Sequence, residues 1–113
     1  MKLRAIAHAR TGDKGDISNI SVIAFDAGDY AWVARHVTTD AVRAQFTGLV
    51  QGKIERYELP DLGALNFVLH GTLSGGVTRS TALDAHGKAL SFALLDLDIP
   101  DIPAKQGQTD KRR

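Results

Sequence analysis

The segment at residues 19–25, with the sequence NISVIAF, constrains the fold more than any other part of the chain. Its β-branched residues suit a strand, in which successive side chains alternate between the two faces of a sheet. Both alternating sets are apolar: Ile20, Val22 and Ala24 on one face, Ile23 and Phe25 on the other. Helices on one face of the sheet would cover only the first set. We therefore expect dimerisation or a larger partner to cover the second face.

The rest of the chain alternates between strand-like and helix-like periodicity. We predict further strands at residues 3–9, 53–59 and 77–84, and helices at residues 30–36, 39–50, 62–73 and 90–97. Thr38 or Thr39 can cap the second helix, and Gly52 is its expected end. Leu62, Leu65, Leu69 and Leu73 form the apolar stripe of the third. Elements mixed in this order predict an α+β domain, with a four-stranded, mainly antiparallel sheet and helices packed on one face.

Composition limits the classes of function. The chain has 113 residues, 43% hydrophobic and 24% charged, which is enough for one domain with its own core. Its 14 basic and 13 acidic side chains are interspersed, whereas a nucleic-acid partner requires a concentrated basic face. Only residues 105–113 are locally basic. We interpret residues 1–99 as the domain and residues 100–113 as a polar, solvated tail.

Residue usage also excludes several kinds of site. The chain has no cysteine, which excludes disulfides and thiolate ligands and favours a reducing compartment. No apolar run approaches the roughly 20 residues that span a bilayer, and the first ten residues lack a signal-peptide core, so we expect a cytoplasmic protein without a membrane partner. His8, His36, His70 and His86 are scattered rather than paired, so no metal is expected. No cofactor motif is recognisable.

The segment at residues 10–19 is the strongest candidate for a working surface. We expect a long loop between the first two strands, and such loops often carry function. It combines two glycines, two cations, two carboxylates and an amide: Gly12 and Gly15, Arg10 and Lys14, Asp13 and Asp16, and Asn19. Its backbone amides could surround an anion, and Arg10 could bind a carboxylate or phosphate through two hydrogen bonds. The alternative is that the opposite charges neutralise each other across a surface turn.

Familiar phosphate and calcium motifs do not fit this segment. Neither GDKG nor the later SGGVTRS has the spacing of a Walker sequence or a dinucleotide fingerprint. Residues 12–15 match the GxxG clamp of KH domains, but that clamp joins two helices rather than two strands. The aspartates lack the alternating oxygen ligands of a calcium loop.

Asn66, Arg79 and Ser80 are further candidates for ligand binding. Asn66 lies one predicted helical turn from His70, so both could border a pocket; the alternative is a polar shoulder beside a buried face. Arg79 shares a predicted strand face with apolar residues, where a guanidinium needs a partner. That partner is either a structural carboxylate or a ligand anion. If the partner is a ligand anion, Asp13 or Asp16 would orient the cations that bind it or act as a catalytic base.

Three stretches match a known family: ARTGDKGDISNISVIAF, GKIERYELPDLGALNFVLHGTLSGGVTRS and DAHGKALSFALLDLDI, which cover nearly all of residues 3–99. In them the chain resembles the AtuA-like ferredoxin-fold domain, found at the end of acyclic terpene utilisation (AtuA-type) proteins and as separate small proteins. The resemblance implies a ferredoxin-like sandwich. It also implies a link to the catabolism of terpenoid or branched acids at the coenzyme A thioester stage.

Three functions remain open at this point. The first is an accessory subunit that binds a separate AtuA-like large subunit and helps to form a site for an acidic intermediate. The second is a free-standing lyase, hydratase or isomerase that uses Asp13 or Asp16 as its base. The third is an assembly module without a ligand. In isolation, we expect a homodimer or a higher oligomer.

Overall fold

The computed structural model describes residues 1–14, 17–71 and 87–103, and the elements named below lie within them. The strands are β1 (Ala7–Lys14), β2 (Ile17–Ala24), β3 (Ile54–Leu59) and β4 (Ala64–His70). The helices are α1 (Tyr30–His36), α2 (Thr39–Gln45) and α3 (Gly87–Leu95), and short 3-10 turns occupy Leu3–Ala5, Ala27–Asp29 and Pro60–Leu62. The strand predicted at residues 77–84 lies outside the described residues.

The four strands form one antiparallel sheet in the order β1-β2-β4-β3. β2 and β3 run in the same direction with β4 between them, and α1 and α2 make the crossover between them. If α1 and α2 are counted together as one helical element, the order of the described elements is ββαββα. This is the βαββαβ order of ferredoxin-like folds begun at its second strand. The predicted α+β class and the antiparallel sheet are confirmed.

The described helices pack on one face of this sheet and enclose the core. The largest fully buried side chains come from the first 3-10 turn, β2, β4, the three described helices and the residues that directly follow α1 and α2: Leu3, Ile20, Val22, Leu65, Phe67, Leu69, Val33, Val37, Val42, Phe46, Leu90 and Leu94. The side-chain Nε2 of Gln45 in α2 donates to the backbone carbonyl of Ala93 in α3 at 2.7 Å, which joins the two helices over the sheet. The predicted inward set of the second strand is therefore confirmed.

The helix predicted at residues 62–73 is wrong, because residues 64–70 form β4. Leu65, Phe67 and Leu69 alternate along this strand and are each 0% exposed. A spacing of four residues between leucines fits one face of a helix and also one face of a strand. Hydrogen bonding to β2 on one side and β3 on the other decides between the two.

The long loop predicted at residues 10–19 is also wrong. β1 extends to Lys14 and pairs with β2 as far as Lys14 opposite Ile17, so only residues 15 and 16 lie between the paired strands. Gly12 therefore lies within a strand and does not have a positive φ. The first strand is correspondingly shifted from the predicted residues 3–9, because Leu3–Ala5 form a 3-10 turn.

The second helix begins as predicted but ends earlier. The Thr38 hydroxyl accepts a hydrogen bond from the Ala41 amide at 3.1 Å, which caps the start of α2. The helix ends at Gln45 instead of near Gly52, and Gly48 takes a positive φ of 84° in the turn that follows. Gly52 instead lies against β4, where its amide donates to the His70 carbonyl at 2.9 Å.

Candidate functional site

The face of the sheet opposite the helices, here called the open face, presents one set of alternating side chains from each strand. By strand order they are His8, Arg10 and Gly12; Ile17, Asn19, Ser21 and Ile23; Ala64, Asn66, Val68 and His70; and Glu55, Tyr57 and Leu59. All the described helices pack on the other side, and most of these residues are partly or fully exposed. The open face is consequently the sheet surface that the described helices leave uncovered.

A polar row crosses the middle of the open face. Arg10 pairs with Ser21, Ser21 with Asn66, and Asn66 with Tyr57 on the successive strands. The Asn66 Nδ2 donates to the Ser21 Oγ at 3.0 Å. Because neighbouring strands lie about 4.8 Å apart, Arg10 and Asn66 are on the order of 10 Å apart. Two candidates that lie far apart in the sequence thus share one surface, although Asn66 was expected on a helix.

Asn19 and Gly12 form the adjacent row toward the hairpin. They are directly opposite in the register, and a Cβ built at Gly12 would lie 3.7 Å from the Asn19 Oδ1. The small residue thus leaves the Asn19 amide exposed above the first strand. Among the described side chains, none forms a hydrogen bond or ion pair with the exposed Arg10 guanidinium. Arg10, Asn19 and Asn66 together offer both a cation and neutral hydrogen-bonding groups.

The remaining candidates are distributed differently. The backbone of Lys14 lies opposite Ile17, in the same register as Arg10. Asp13 lies opposite Ser18, which is 1% exposed, so it occupies the alternate register to Arg10. Gly15, Asp16, Arg79 and Ser80 lie outside the described residues.

A charged cluster at the β3 edge of the open face was missed by sequence reasoning. The Tyr57 hydroxyl donates to the Glu55 Oε1 at 2.9 Å, and the Lys53 Nζ lies 3.1 Å from the Glu55 Oε2. The His70 Nε2 lies 3.6 Å from the Glu55 Oε1, across the strand pair. Alternation in KIERYEL indicated that Lys53, Glu55 and Tyr57 share a face. The misassigned helix hid their proximity to His70.

Hydrogen bonding sets the ionisation of this cluster. Bonds from Lys53 and then Tyr57 lower the pKa of the Glu55 carboxyl, which is therefore anionic at neutral pH. The same bond raises the pKa of Tyr57, because the neighbouring carboxylate disfavours a phenolate. The edge of the sheet thus holds a stable carboxylate that accepts hydrogen bonds from Lys53 and Tyr57.

The end of the open face away from the hairpin is apolar. Phe25, which follows β2, is 64% exposed, and Leu59 is 37% exposed. The His8 ring stacks on Phe25 with ring centroids 5.4 Å apart. Ile23 lies between His8 and Ala64 in the strand register. The outward apolar set predicted for the second strand therefore lies on a surface that no described helix covers.

The described residues also lack the features of two other kinds of site. No group of three histidine, aspartate or glutamate side chains there converges on a position suited to a metal ion. None of the helices in the same residues combines the length and apolar character needed to cross a membrane.

Comparison with known proteins agrees with the fold. The model of one protein family, described as AtuA ferredoxin-like domain, matches residues 1–100 and so includes every described strand and helix. No curated protein and no solved structure matches the chain. The match extends over most of the 113 residues and coincides with an antiparallel sheet in a permuted ferredoxin-like order. The chain therefore belongs to the AtuA ferredoxin-like domain family and is thereby related to AtuA-type proteins.

Proposed function

We propose that this chain is a cytoplasmic accessory domain that binds an AtuA-like large protein through its open face and contributes to a site for an acidic catabolic intermediate. The intermediate belongs to the breakdown of terpenoid or branched acids, at the acyl-coenzyme A stage. The observation that carries the proposal is that the sheet face left uncovered by the described helices combines an exposed apolar end with an arginine that lacks a described partner.

The apolar end supports protein binding. Phe25 is 64% exposed and Leu59 is 37% exposed, and both flank the partly buried Ile23. Large apolar side chains that cluster on an exposed sheet face commonly mark an interaction surface. Burying one phenylalanine contributes about 1.5–3 kcal/mol, so Phe25 alone could change a dissociation constant about tenfold to a hundredfold.

The middle of the face supports anion binding. An arginine can grip a carboxylate or phosphate through two parallel hydrogen bonds. Arg10 lies opposite Ser21 on the neighbouring strand, and the Ser21 hydroxyl accepts a hydrogen bond from Asn66. Asn19 lies one row away and adds a neutral donor and acceptor. Lys14, Arg79 and Ser80 remain proposed members of this site. A partner seated on the apolar end would exclude water from the polar row and strengthen its hold on an anion.

Binding between purified proteins tests the docking part of the proposal. Phe25→Glu should weaken binding to an AtuA-like large protein from the same genome by about tenfold or more. Phe92→Glu is the matched control, because Phe92 is 60% exposed but lies on α3, away from the open face. If the two variants bind equally well, or the wild type does not bind, the docking proposal is wrong.

The same pair of variants tests self-association. We propose that the isolated chain forms a homodimer or higher oligomer through the apolar end of the open face while the large protein is absent. Light scattering at micromolar concentration should give a mass above 12.2 kDa for the wild type and for Phe92→Glu. Phe25→Glu should be monomeric. A monomeric wild-type protein would contradict this part.

Thermal shift tests the anion site. Organic acids, acyl thioesters and inorganic phosphate should be screened with and without the large protein, because a ligand that binds only the folded state raises its melting temperature. Arg10→Ala should lower the affinity of a stabilising anion about tenfold to a hundredfold, the effect of one lost charge-assisted contact of about 1.5–3 kcal/mol. Arg35→Ala removes the same charge from an exposed helix position and should have no effect. If the large protein binds but no anion raises the melting temperature, the function that remains is an assembly module without a ligand.

A further inference from the structure

The charged cluster at the β3 edge of the open face has no part in the proposed anion site. One carboxylate, that of Glu55, is approached by the Tyr57 hydroxyl at 2.9 Å, by the Lys53 Nζ at 3.1 Å and by the His70 Nε2 at 3.6 Å. The four residues come from two adjacent strands and the residue before one of them. A carboxylate beside an imidazole is the arrangement that orients histidine bases in many enzymes.

The two nitrogens of His70 differ in their surroundings. Nε2 is shielded from solvent and has no hydrogen-bond partner, whereas the side chain as a whole is 31% exposed. A separation of 3.6 Å is longer than an ordinary N–H···O bond. Such contacts are often long in unliganded enzymes and shorten when a substrate binds. If Nε2 carries the proton, it points at Glu55, and Nδ1 is then the acceptor.

We propose that Glu55 and His70 form a proton-transfer site for a small carbonyl compound lying on the open face. The Glu55 carboxylate orients the imidazole, and the His70 Nδ1 removes a proton from a carbon next to the carbonyl group. The carbon–hydrogen bond breaks, its proton moves to Nδ1, and its electron pair remains on the substrate as an enolate. In a substrate whose enolate is conjugated with a further carbon–carbon double bond, return of that proton from Nδ1 to the far carbon of the conjugated system completes an isomerisation without another reactant.

The neighbouring side chains suit this chemistry. Glu55 stabilises the positive charge that the imidazole acquires when it takes the proton. Lys53 is a cation at the same corner of the sheet and would stabilise negative charge on the enolate oxygen. The Tyr57 hydroxyl donates to Oε1, the carboxylate oxygen that His70 also approaches, whereas Lys53 lies against Oε2, so the two contacts together restrain the orientation of the carboxylate. Each group has a role that does not require the partner protein or Arg10.

The first test is the tautomer of His70, measured by nitrogen NMR on labelled protein. We expect the neutral ring to carry its proton on Nε2 in the wild type, and to become a mixture of tautomers in Glu55→Ala. A wild-type ring protonated on Nδ1 would overturn the proposal, because the accessible nitrogen would then be unable to accept a proton.

The second test is the base-catalysed ring opening of 5-nitrobenzisoxazole, a probe that needs only an accessible base. His70→Ala should lower the protein-catalysed rate on the order of a hundredfold, and Glu55→Ala should lower it substantially. His36→Ala is the matched control, since His36 lies at the end of α1, away from the open face, and its rate should equal that of the wild type. An unchanged rate in His70→Ala, or an equal loss in His36→Ala, would overturn the proposal.

Folding is checked in each variant by its NMR spectrum. If His70→Ala does not fold, His70→Gln provides a base-free side chain of similar size for the same comparison. Both readouts are made on the isolated chain. Their failure is therefore separate from a failure of the docking or anion proposals.

Discussion

Arg56 joins β3 to the end of α1, and replacing it should destabilise the fold strongly. Its Nε donates to the Val37 carbonyl at 3.1 Å and one terminal nitrogen donates to the Ala34 carbonyl. The other terminal nitrogen bonds the Glu58 carboxylate at 2.8 Å. The last carbonyls of a helix have no partner within it and carry partial negative charge, so a guanidinium there satisfies them and complements the helix dipole.

The magnitude follows from these contacts. A hydrogen bond to a charged group contributes about 1.5–3 kcal/mol, and Arg56→Met removes two such bonds to α1 while keeping an apolar stem over the sheet. The Arg56 side chain is 19% exposed, so water can replace only part of what is lost. Two such bonds together contribute about 3–6 kcal/mol, and partial replacement by water reduces the loss. We therefore expect Arg56→Met to lower the free energy of unfolding by about 2–4 kcal/mol. For a domain near this size, the melting temperature should fall by about 10 °C or more.

Urea unfolding followed by fluorescence measures this loss. Trp32 is the only tryptophan, lies on α1, and donates its indole proton to the Pro100 carbonyl at 2.8 Å, so it reports on the helix that Arg56 holds. Glu58→Gln is the control. It removes only an ion pair whose carboxylate side is 57% exposed, and should cost less than about 1 kcal/mol. If Arg56→Met costs no more than Glu58→Gln, the carbonyl contacts do not stabilise the protein and the reasoning is refuted.

Three further predictions concern local features of the fold. Gly52→Ala should destabilise the protein by about 1–3 kcal/mol in urea unfolding, because its Cβ would lie 2.8 Å from the His70 carbonyl oxygen. Gly12→Ala is the control and should not be destabilising, because the nearest atom to its Cβ would be 3.7 Å away. Thr38→Ala removes the cap of α2 and should cost about 1 kcal/mol in the same assay; no change would show that the cap is dispensable. Because its pKa is lowered below 4.5, Glu55 should stabilise the fold above that pH and lose this contribution as the pH falls through the lowered value. The difference in unfolding free energy between wild type and Glu55→Gln should therefore shrink in acid, and a difference independent of pH would contradict this assignment.

Local patterns were sufficient for several elements. α1 spans the predicted residues 30–36, and β3 begins one residue after the predicted start at residue 53. The cap at Thr38 was found because its hydroxyl acts on an amide only three residues away. These features depend on contacts between neighbours in the sequence, so the residue types alone identify them.

Two segments could not be assigned from local patterns. The leucine spacing at residues 62–73 suits both a helix and a strand, and only hydrogen bonding to β2 and β3 selects the strand. The turn-forming residues 10–14 are drawn into β1 because β2 offers a continuous partner up to Lys14. Intrinsic strand preference is weak compared with such pairing.

For the candidate site too, the sequence determined some features and the tertiary structure decided others. The sequence by itself determined that Arg10, Asn19 and Asn66 are polar groups in otherwise apolar or turn-forming segments, and that one strand is apolar on both sides. Only the tertiary structure decided that they share the open face and that His70 approaches Glu55. The physical reason is register: antiparallel pairing places residues far apart in sequence about 5 Å apart, and a shift of one residue would send each side chain to the opposite face.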